Sequence, residues 1–222
     1  MILKIYFERS DEVFEKPLNK QVNGFINFLL GENNEYHGKF SEYCVSSMQG
    51  GKMDKDGKLT FKDGAFLRVS SPSMDFLGKI MLSLSKNRDL NICSLQYKNF
   101  ELDEFGTFSD YDIIRMISPL SLRVHRRVVT YNDDDFIEVL TSKSRKKLIH
   151  NGISEEEANT IEFELFHGEN AKTKAVQIGG SANISSMVML VVKGSEKARK
   201  TLYNLGLGGC CGFGFGAIEI IR

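Results

Sequence analysis

The sequence predicts an α+β protein built from two consecutive β-α-β-β-α-β units packed together. Three observations carry that expectation. Strand-like alternation and helix-like apolar spacing follow one another in the same order in each half of the 222 residues. The helical stretches begin and end on capping and charge signals. No low-complexity linker separates the halves, so the two units are expected to pack rather than swing. A hydrophobic fraction of 41% provides for real cores, and 26% charged residues is ordinary for a globular chain.

In the first half, "MILKIYFE" alternates apolar and polar residues and predicts a strand over Ile2–Glu8. "NKQVNGFINFLLGE" then sets Val22, Phe25, Ile26, Phe28, Leu29 and Leu30 at helical spacing, with Gly31 as the stop. A polar, aromatic segment, "ENNEYHGKFSEY", leads to short strands over Tyr43–Met48, Lys58–Phe61 and Ala65–Ser70. Pro72 and its flanking serines open a second helix, "SMDFLGKIMLSLSK", and "LNICSLQYKNFEL" closes the unit as one long strand. In the second half "SPLSLRVHRRV" reads as a strand. "DDDFIEVLTSKSRKKLIHNG" reads as a helix with acids first and bases last, as the helix dipole prefers. "NTIEFELF", "TKAVQIG" and "SSMVMLVVKG" read as three strands, Ser195 caps "EKARKTLYNLG", and "FGAIEII" is the last strand. The order is the split βαβ arrangement of a ferredoxin-like fold. The expected division is an N-terminal domain over 1–117 and a C-terminal one over 118–222.

Bulk properties exclude several classes. Lys+Arg and Asp+Glu balance at 29 each, so net charge points to no acidic partner. Cys44, Cys93, Cys210 and Cys211 form no C-x-x-C pair and read as reduced thiols of a cytoplasmic protein. The first residues carry charge from Lys4 onward, unlike a secretory signal. No apolar run approaches the roughly 20 residues that span a bilayer. His37, His125, His150 and His167 make no ligand cluster, so neither a metal nor another cofactor is expected.

"LYNLGLGGCCGFGFGAIEII", Leu202–Ile221, concentrates six glycines just before the last strand. Each glycine costs about 0.5–1 kcal/mol relative to alanine in regular structure. The dinucleotide-binding fingerprint follows a strand and opens a helix, whereas these glycines follow a helix and open a strand. Two readings stay open: a turn that eases helix–strand packing, or a backbone brought close to a ligand.

The spacing Gly206-Leu207-Gly208, five residues, Gly214-Phe215-Gly216 resembles the glycine-rich C-terminal motif of the RAMP superfamily of CRISPR-associated RNA-binding proteins. It is most similar to that of the endoribonucleases that cut CRISPR repeat RNA into guide units. "MILKIYFERSDEVFEKPLNKQVNGFINFLL" resembles that family's opening strand and helix. "YCVSSMQG" is loosely similar to its F-x-F-S-x-L-x-G strand, and "ISPLSLRV" to its S-P-hydrophobic-x-x-R strand. The resemblance implies that Gly206, Gly208, Gly214 and Gly216 bring backbone close to RNA phosphates and to the other domain, with Leu207, Phe213 and Phe215 as anchors. It implies a metal-independent cut by the RNA's own 2′-hydroxyl, giving a 2′,3′-cyclic phosphate. His37 would be general acid or base, Tyr36 or Tyr43 its partner, and Lys39 or Lys52 the phosphate stabiliser.

Local charge segregation adds candidate RNA contacts. Arg123, His125 and Arg127 lie in "SLRVHRR", and Lys143, Arg145, Lys146 and Lys147 in "SKSRKK". A solvated helix end would look the same for the second group, and His125 could equally be an ordinary strand residue. His150 reads as a helix-dipole partner, and His167 has no assigned task. Two rival functions stay open: a non-catalytic RAMP subunit that holds guide RNA in an effector complex, and a small-molecule-sensing regulatory protein. CRISPR repeat RNA, precursor and processed, is the expected partner, with effector subunits and a second copy of the chain left open and no membrane contact.

Overall fold

The computed structural model describes residues 1–15, 18–31, 34, 36, 42–56, 58–178 and 181–221. Its first half contains β1 (Ile2–Phe7), β2 (Ser10–Phe14), α1 (Asn19–Leu30), β3 (Cys44–Val45), β4 (Lys52–Met53), β5 (Leu59–Phe61), β6 (Ala65–Ser70), α2 (Met74–Lys86), β7 (Asn91–Ile92) and β8 (Leu95–Asp103). The main sheet runs β3-β6-β1-β8-β7, with β1 antiparallel to both β6 and β8. Alternation in "ILKIYF" turns Leu3, Ile5 and Phe7 inward and leaves Lys4 and Tyr6 on the other face. Against the buried face lie Val22, Phe25, Ile26 and Leu29 of α1 and Phe76, Leu77, Ile80 and Leu84 of α2. Burial of each such side chain contributes about 1.5–3 kcal/mol. The Ser73 hydroxyl accepts from the Phe76 amide and caps α2, as its sequence signal predicts.

The second half contains β9 (Tyr111–Met116), β10 (Leu122–Val124), β11 (Arg127–Val129), α3 (Phe136–His150), α4 (Glu155–Asn159), β12 (Glu162–Phe166), β13 (Lys172–Ile178), β14 (Ser181–Met187), β15 (Met189–Lys193), α5 (Glu196–Leu205) and β16 (Ile218–Ile221). Its sheet runs β12-β15-β9-β16. In each half the first strand is flanked by the third and fourth, and the second lies outside the third. That shared order makes the chain a pair of tandem ferredoxin-like units, each with its own core. Among the described residues no helix is long and apolar enough to cross a membrane.

Several elements differ from their sequence-based expectation. "SPLSLRVHRRV" is not the strand that opens the second sheet; β9 is, so that sheet takes up the chain ahead of residue 118. The stretch instead folds as the β10–β11 hairpin, because His125 adopts a positive φ of 53° in a two-residue turn. "LNICSLQYKNFEL" likewise breaks into β7 and β8 at Cys93, whose φ is 55°. "SSMVMLVVKG" divides into β14, which pairs with β13, and β15 in the main sheet. The short strands β2 and β4 flank β5 in a separate three-stranded sheet.

A buried polar network fastens the start of β9, and Ser109 just before it, to α5. Arg199 donates to Asp112 at 2.6 Å, to the Gly194 carbonyl at 3.0 Å and to the Ser109 carbonyl. The Tyr203 hydroxyl donates to the same Asp112 oxygen at 2.9 Å, and burial pushes its pKa up. Side-chain exposures of 3% and 1% put the Arg199–Asp112 pair in the interior. Removing one partner leaves the other charge buried and uncompensated. Asp112→Ala is therefore expected to cost about 3–5 kcal/mol of unfolding free energy, read from a urea-denaturation midpoint. A loss below about 1 kcal/mol would mean that the network is dispensable.

Candidate functional site

The glycine-rich stretch passes between the two halves. Gly206, Gly208, Gly214 and Gly216 have φ of 70°, 70°, 81° and 72°, a region that favours glycine. None has room for a side chain. A Cβ on Gly206 would lie 2.5 Å from Cys44 Sγ, on Gly208 2.5 Å from the Ser121 carbonyl oxygen, and on Gly214 2.5 Å from Asn19 Nδ2. On Gly216 it would meet the Leu207 carbonyl oxygen closer still. The loop closes on itself through Leu207 N–H to the Gly216 carbonyl, 2.9 Å, and on the segment before β10 through Gly216 N–H to Pro119, 2.9 Å, and Gly209 N–H to Ser121, 2.8 Å.

Its outward carbonyls are taken by the first half. Asn19 donates to Phe213 at 2.8 Å and Asn23 to Gly212 at 3.2 Å, while Asn27 donates to Asn23 Oδ1 at 3.1 Å. Spacing of four residues puts all three amides on one face of α1. These asparagines escaped the sequence reading, which followed only the apolar face of that helix; their periodicity was the available signal. Ser118, fully buried, accepts from the Ser47 amide at 2.8 Å, and Gln49 donates to the Ile117 carbonyl at 3.1 Å. Beside this joint is a groove of about 230 Å³ lined by Asn19, Ser47, Gln49, Gly51, Pro119 and Lys174.

Gly206, Gly214 and Gly216 are buried in the joint, and the solvent-facing part of the loop is Gly208–Cys210 and Phe213. Leu207 and Phe215 are fully buried anchors; Phe213, at 42% exposure, is not. Arg123 reaches the exposed edge, because the Ser121–Gly209 bridge sets its strand alongside, and it donates to Asn183 at 2.9 Å. His125 is exposed at the hairpin turn. Arg127 is exposed too, but Asp133 and Asp135 hold its charge.

The "SKSRKK" bases do not form one surface. Lys143 and Lys146 face outward, and Arg145 donates to the Ile161 carbonyl at 2.9 Å. The expectation that Lys147 contacts a ligand is corrected: it points into the protein, 5% exposed, where its ammonium meets Gly206, Leu205 and Cys211.

His37 and Lys39 lie outside the described residues. Tyr36 and Tyr43, which flank them, both pack on the Phe76 ring, edge-on at 4.9 Å and stacked at 4.5 Å. Tyr43 is 7% exposed, burial pushes its pKa up, and a Cβ on Gly212 would lie 3.0 Å from its hydroxyl. It is a packing residue beneath the glycine loop. Lys52 is exposed beside Gly51 of the groove and bonded to Asp63 at 2.6 Å, which pushes its pKa up.

Two ferredoxin-like units joined through a glycine loop define an RAMP-type architecture. Solved structures share it at low sequence identity, which speaks to the fold. An RAMP protein described as binding different RNA substrates is 16% identical with a TM-score of 0.83, covering 100% of both chains. A Cas6-related protein from Pyrococcus furiosus is 16% identical with a TM-score of 0.85, covering 100% of this chain and 98% of its own. A Cas6 solved as a product complex is 13% identical with a TM-score of 0.68, covering 100% and 98%. No curated protein sequence matches significantly. The model of the CRISPR-associated protein Cas6 C-terminal region matches residues 101–220, more than half of the chain. The chain belongs to the Cas6 family.

Packing without side chains at the joint has a direct consequence. Gly216→Ala would force a Cβ onto the Leu207 backbone at a disfavoured φ and is expected to destabilise by more than about 2 kcal/mol. Gly24→Ala, exposed in α1 with nothing within 4 Å, is expected to stabilise by about 0.5–1 kcal/mol. Thermal unfolding of both variants tests the contrast, and equal effects would refute it.

Proposed function

We propose that this chain is an endoribonuclease that cuts CRISPR precursor RNA within its repeats, without a metal. The observation that carries the reading is the meeting of a Cas6-family C-terminal half with a glycine loop whose exposed edge, Gly208–Cys210, adjoins Arg123. The Gly209 amide of that edge is bonded to Ser121, so the group that suits a phosphate there is the guanidinium of Arg123. The product complex of one Cas6 relative supports cleavage as the reaction class.

In this reading the 2′-hydroxyl attacks the adjacent phosphorus in line as the 5′-oxygen leaves. The products are a 2′,3′-cyclic phosphate and a 5′-hydroxyl. The reaction needs a proton acceptor, a proton donor and a cation for the phosphorane charge. His37 takes one proton-transfer role, since an imidazole with a pKa near 6.5 can do either at cellular pH. Lys39 or Arg123 supplies the cation. Tyr36 and Tyr43 both pack on Phe76, and Tyr43 lies beside Gly212 of the loop. Lys52, bound to Asp63, borders the groove where a strand leaving the site would run.

Incubation with a CRISPR repeat RNA in excess chelator tests this. The wild type is expected to cut and leave a cyclic phosphate, and His37→Ala to bind but cut about 10²–10⁴-fold more slowly. Binding by both with cutting by neither would instead make the chain a guide-RNA holder, and no retention of RNA would favour a small-molecule sensor. Arg123→Ala is expected to reduce the slope of log affinity against log salt by about 1, measured by filter binding across a salt series. An unchanged slope would remove Arg123 from the interface.

A further inference from the structure

Lys147 is the base of the "SKSRKK" run that turns inward, and its contacts tie α3 to the glycine loop. Its ammonium donates to the Gly206 carbonyl at 2.8 Å, the Leu205 carbonyl at 3.4 Å and Cys211 Sγ at 3.2 Å. An ammonium has three donors and no acceptor, so these partners satisfy it fully. None of them is a carboxylate. A buried charge is costly unless an opposite one compensates it, and of the three only the sulfur can become negative, by losing its proton. Cys211 is 1% exposed, with the Leu207 and Gly208 carbonyls 3.5 Å and 3.7 Å from its sulfur, and Cys44, also 1% exposed, packs against it from the first half while its thiol faces the Phe215 carbonyl at 3.4 Å. The site therefore joins α3, the end of α5, the glycine loop and β3.

We propose that Lys147 and Cys211 form a buried ammonium–thiolate pair that positions the glycine loop. Lys147 acts on the loop from α3, and Cys44 packs against the pair from across the joint, its own S–H turned to the Phe215 carbonyl. The facing groups agree. The neighbouring Cys44 thiol and then the Lys147 charge outweigh burial and lower the Cys211 thiol to about 6. Cys44, the partner that keeps its proton, is pushed well above its ordinary value by the neighbouring Cys211 and by burial, with Lys147 and Arg68 opposing. On the solvent side Cys210 is pushed up by burial, with Arg123 and Lys147 opposing. An acid depressed in the folded state stabilises above its unfolded value, about 8.5 for a thiol, and loses that contribution as pH falls through the folded value. The latch is thus closed at neutral pH and opens on acidification through about 6.

Thiolate absorbance near 240 nm reads the pair without RNA. The native wild type is expected to show a one-thiolate step well below pH 8 that moves to about 8.5 in urea and is missing from Cys211→Ser. Absence of the step in the native protein, or its persistence in Cys211→Ser, would overturn the pair. The native-to-urea comparison decides the matter even if the variant does not fold. The positioning role rests on the RNA reading above, so affinity for repeat RNA is measured from pH 5.5 to 8. It is expected to fall below about pH 6 more steeply in the wild type than in Cys211→Ser, and identical pH profiles would overturn the positioning role. If no RNA binds at any pH, the proposed function and the positioning role both fail, while the absorbance step still decides the pair.

Discussion

The structure depends on a backbone-to-backbone contact that no side chain can enter. Gly216 lies against the Leu207 carbonyl, Gly206 against Cys44 and Gly214 against Asn19, so the chain between α5 and β16 passes through a seam closed to a Cβ. Two ferredoxin-like units with separate cores could otherwise meet at many angles. Close approach fixes one, because each glycine touches a different neighbour: the loop itself, β3, and α1. Left-handed φ at all four positions of the two Gly-x-Gly pairs then lets the chain reverse within that space.

Such a seam has a polar cost that the first half meets. Loop carbonyls brought out of water need donors, and α1 provides them through Asn19 and Asn23, four residues apart. Lys147 does the same from the opposite side for Leu205 and Gly206. The loop is therefore held by its carbonyls from within and turns Gly208–Cys210 to solvent. This division splits the glycine motif: the buried glycines make the joint, and the exposed ones inherit its rigidity.

The main sheets and long helices were legible in the sequence because their burial follows one period. Leu3, Ile5 and Phe7 alternate, and Val22, Phe25, Ile26 and Leu29 recur at helical spacing. The hairpin turns were not, because His125 and Cys93 adopt positive φ without the Asn-Gly or Gly-Gly dipeptide that announces such turns. The candidate site was legible in its glycines, whose spacing carries the family resemblance, but not in what surrounds them. Lys147 shows why. It falls on the buried face of α3 with Phe136, Leu140, Ser144 and Leu148, and a charged residue on such a face is read from sequence as a surface base.

The same partner-by-partner view explains how a chain with balanced charge could handle a polyanion. Arg127 is held by Asp133 and Asp135, Arg145 by the Ile161 carbonyl, Lys52 by Asp63, and Lys147 by the loop. Counting bases therefore overstates the attraction available to RNA. Arg123, which donates to the uncharged Asn183 and lies two residues past the Ser121–Gly209 bridge, and Lys174 in the groove lie at the joint, where neither half alone forms a surface. Net charge supplies little long-range pull in such a chain, so the proposed function would rest on close geometry. That geometry exists only while the glycine seam holds the two halves together.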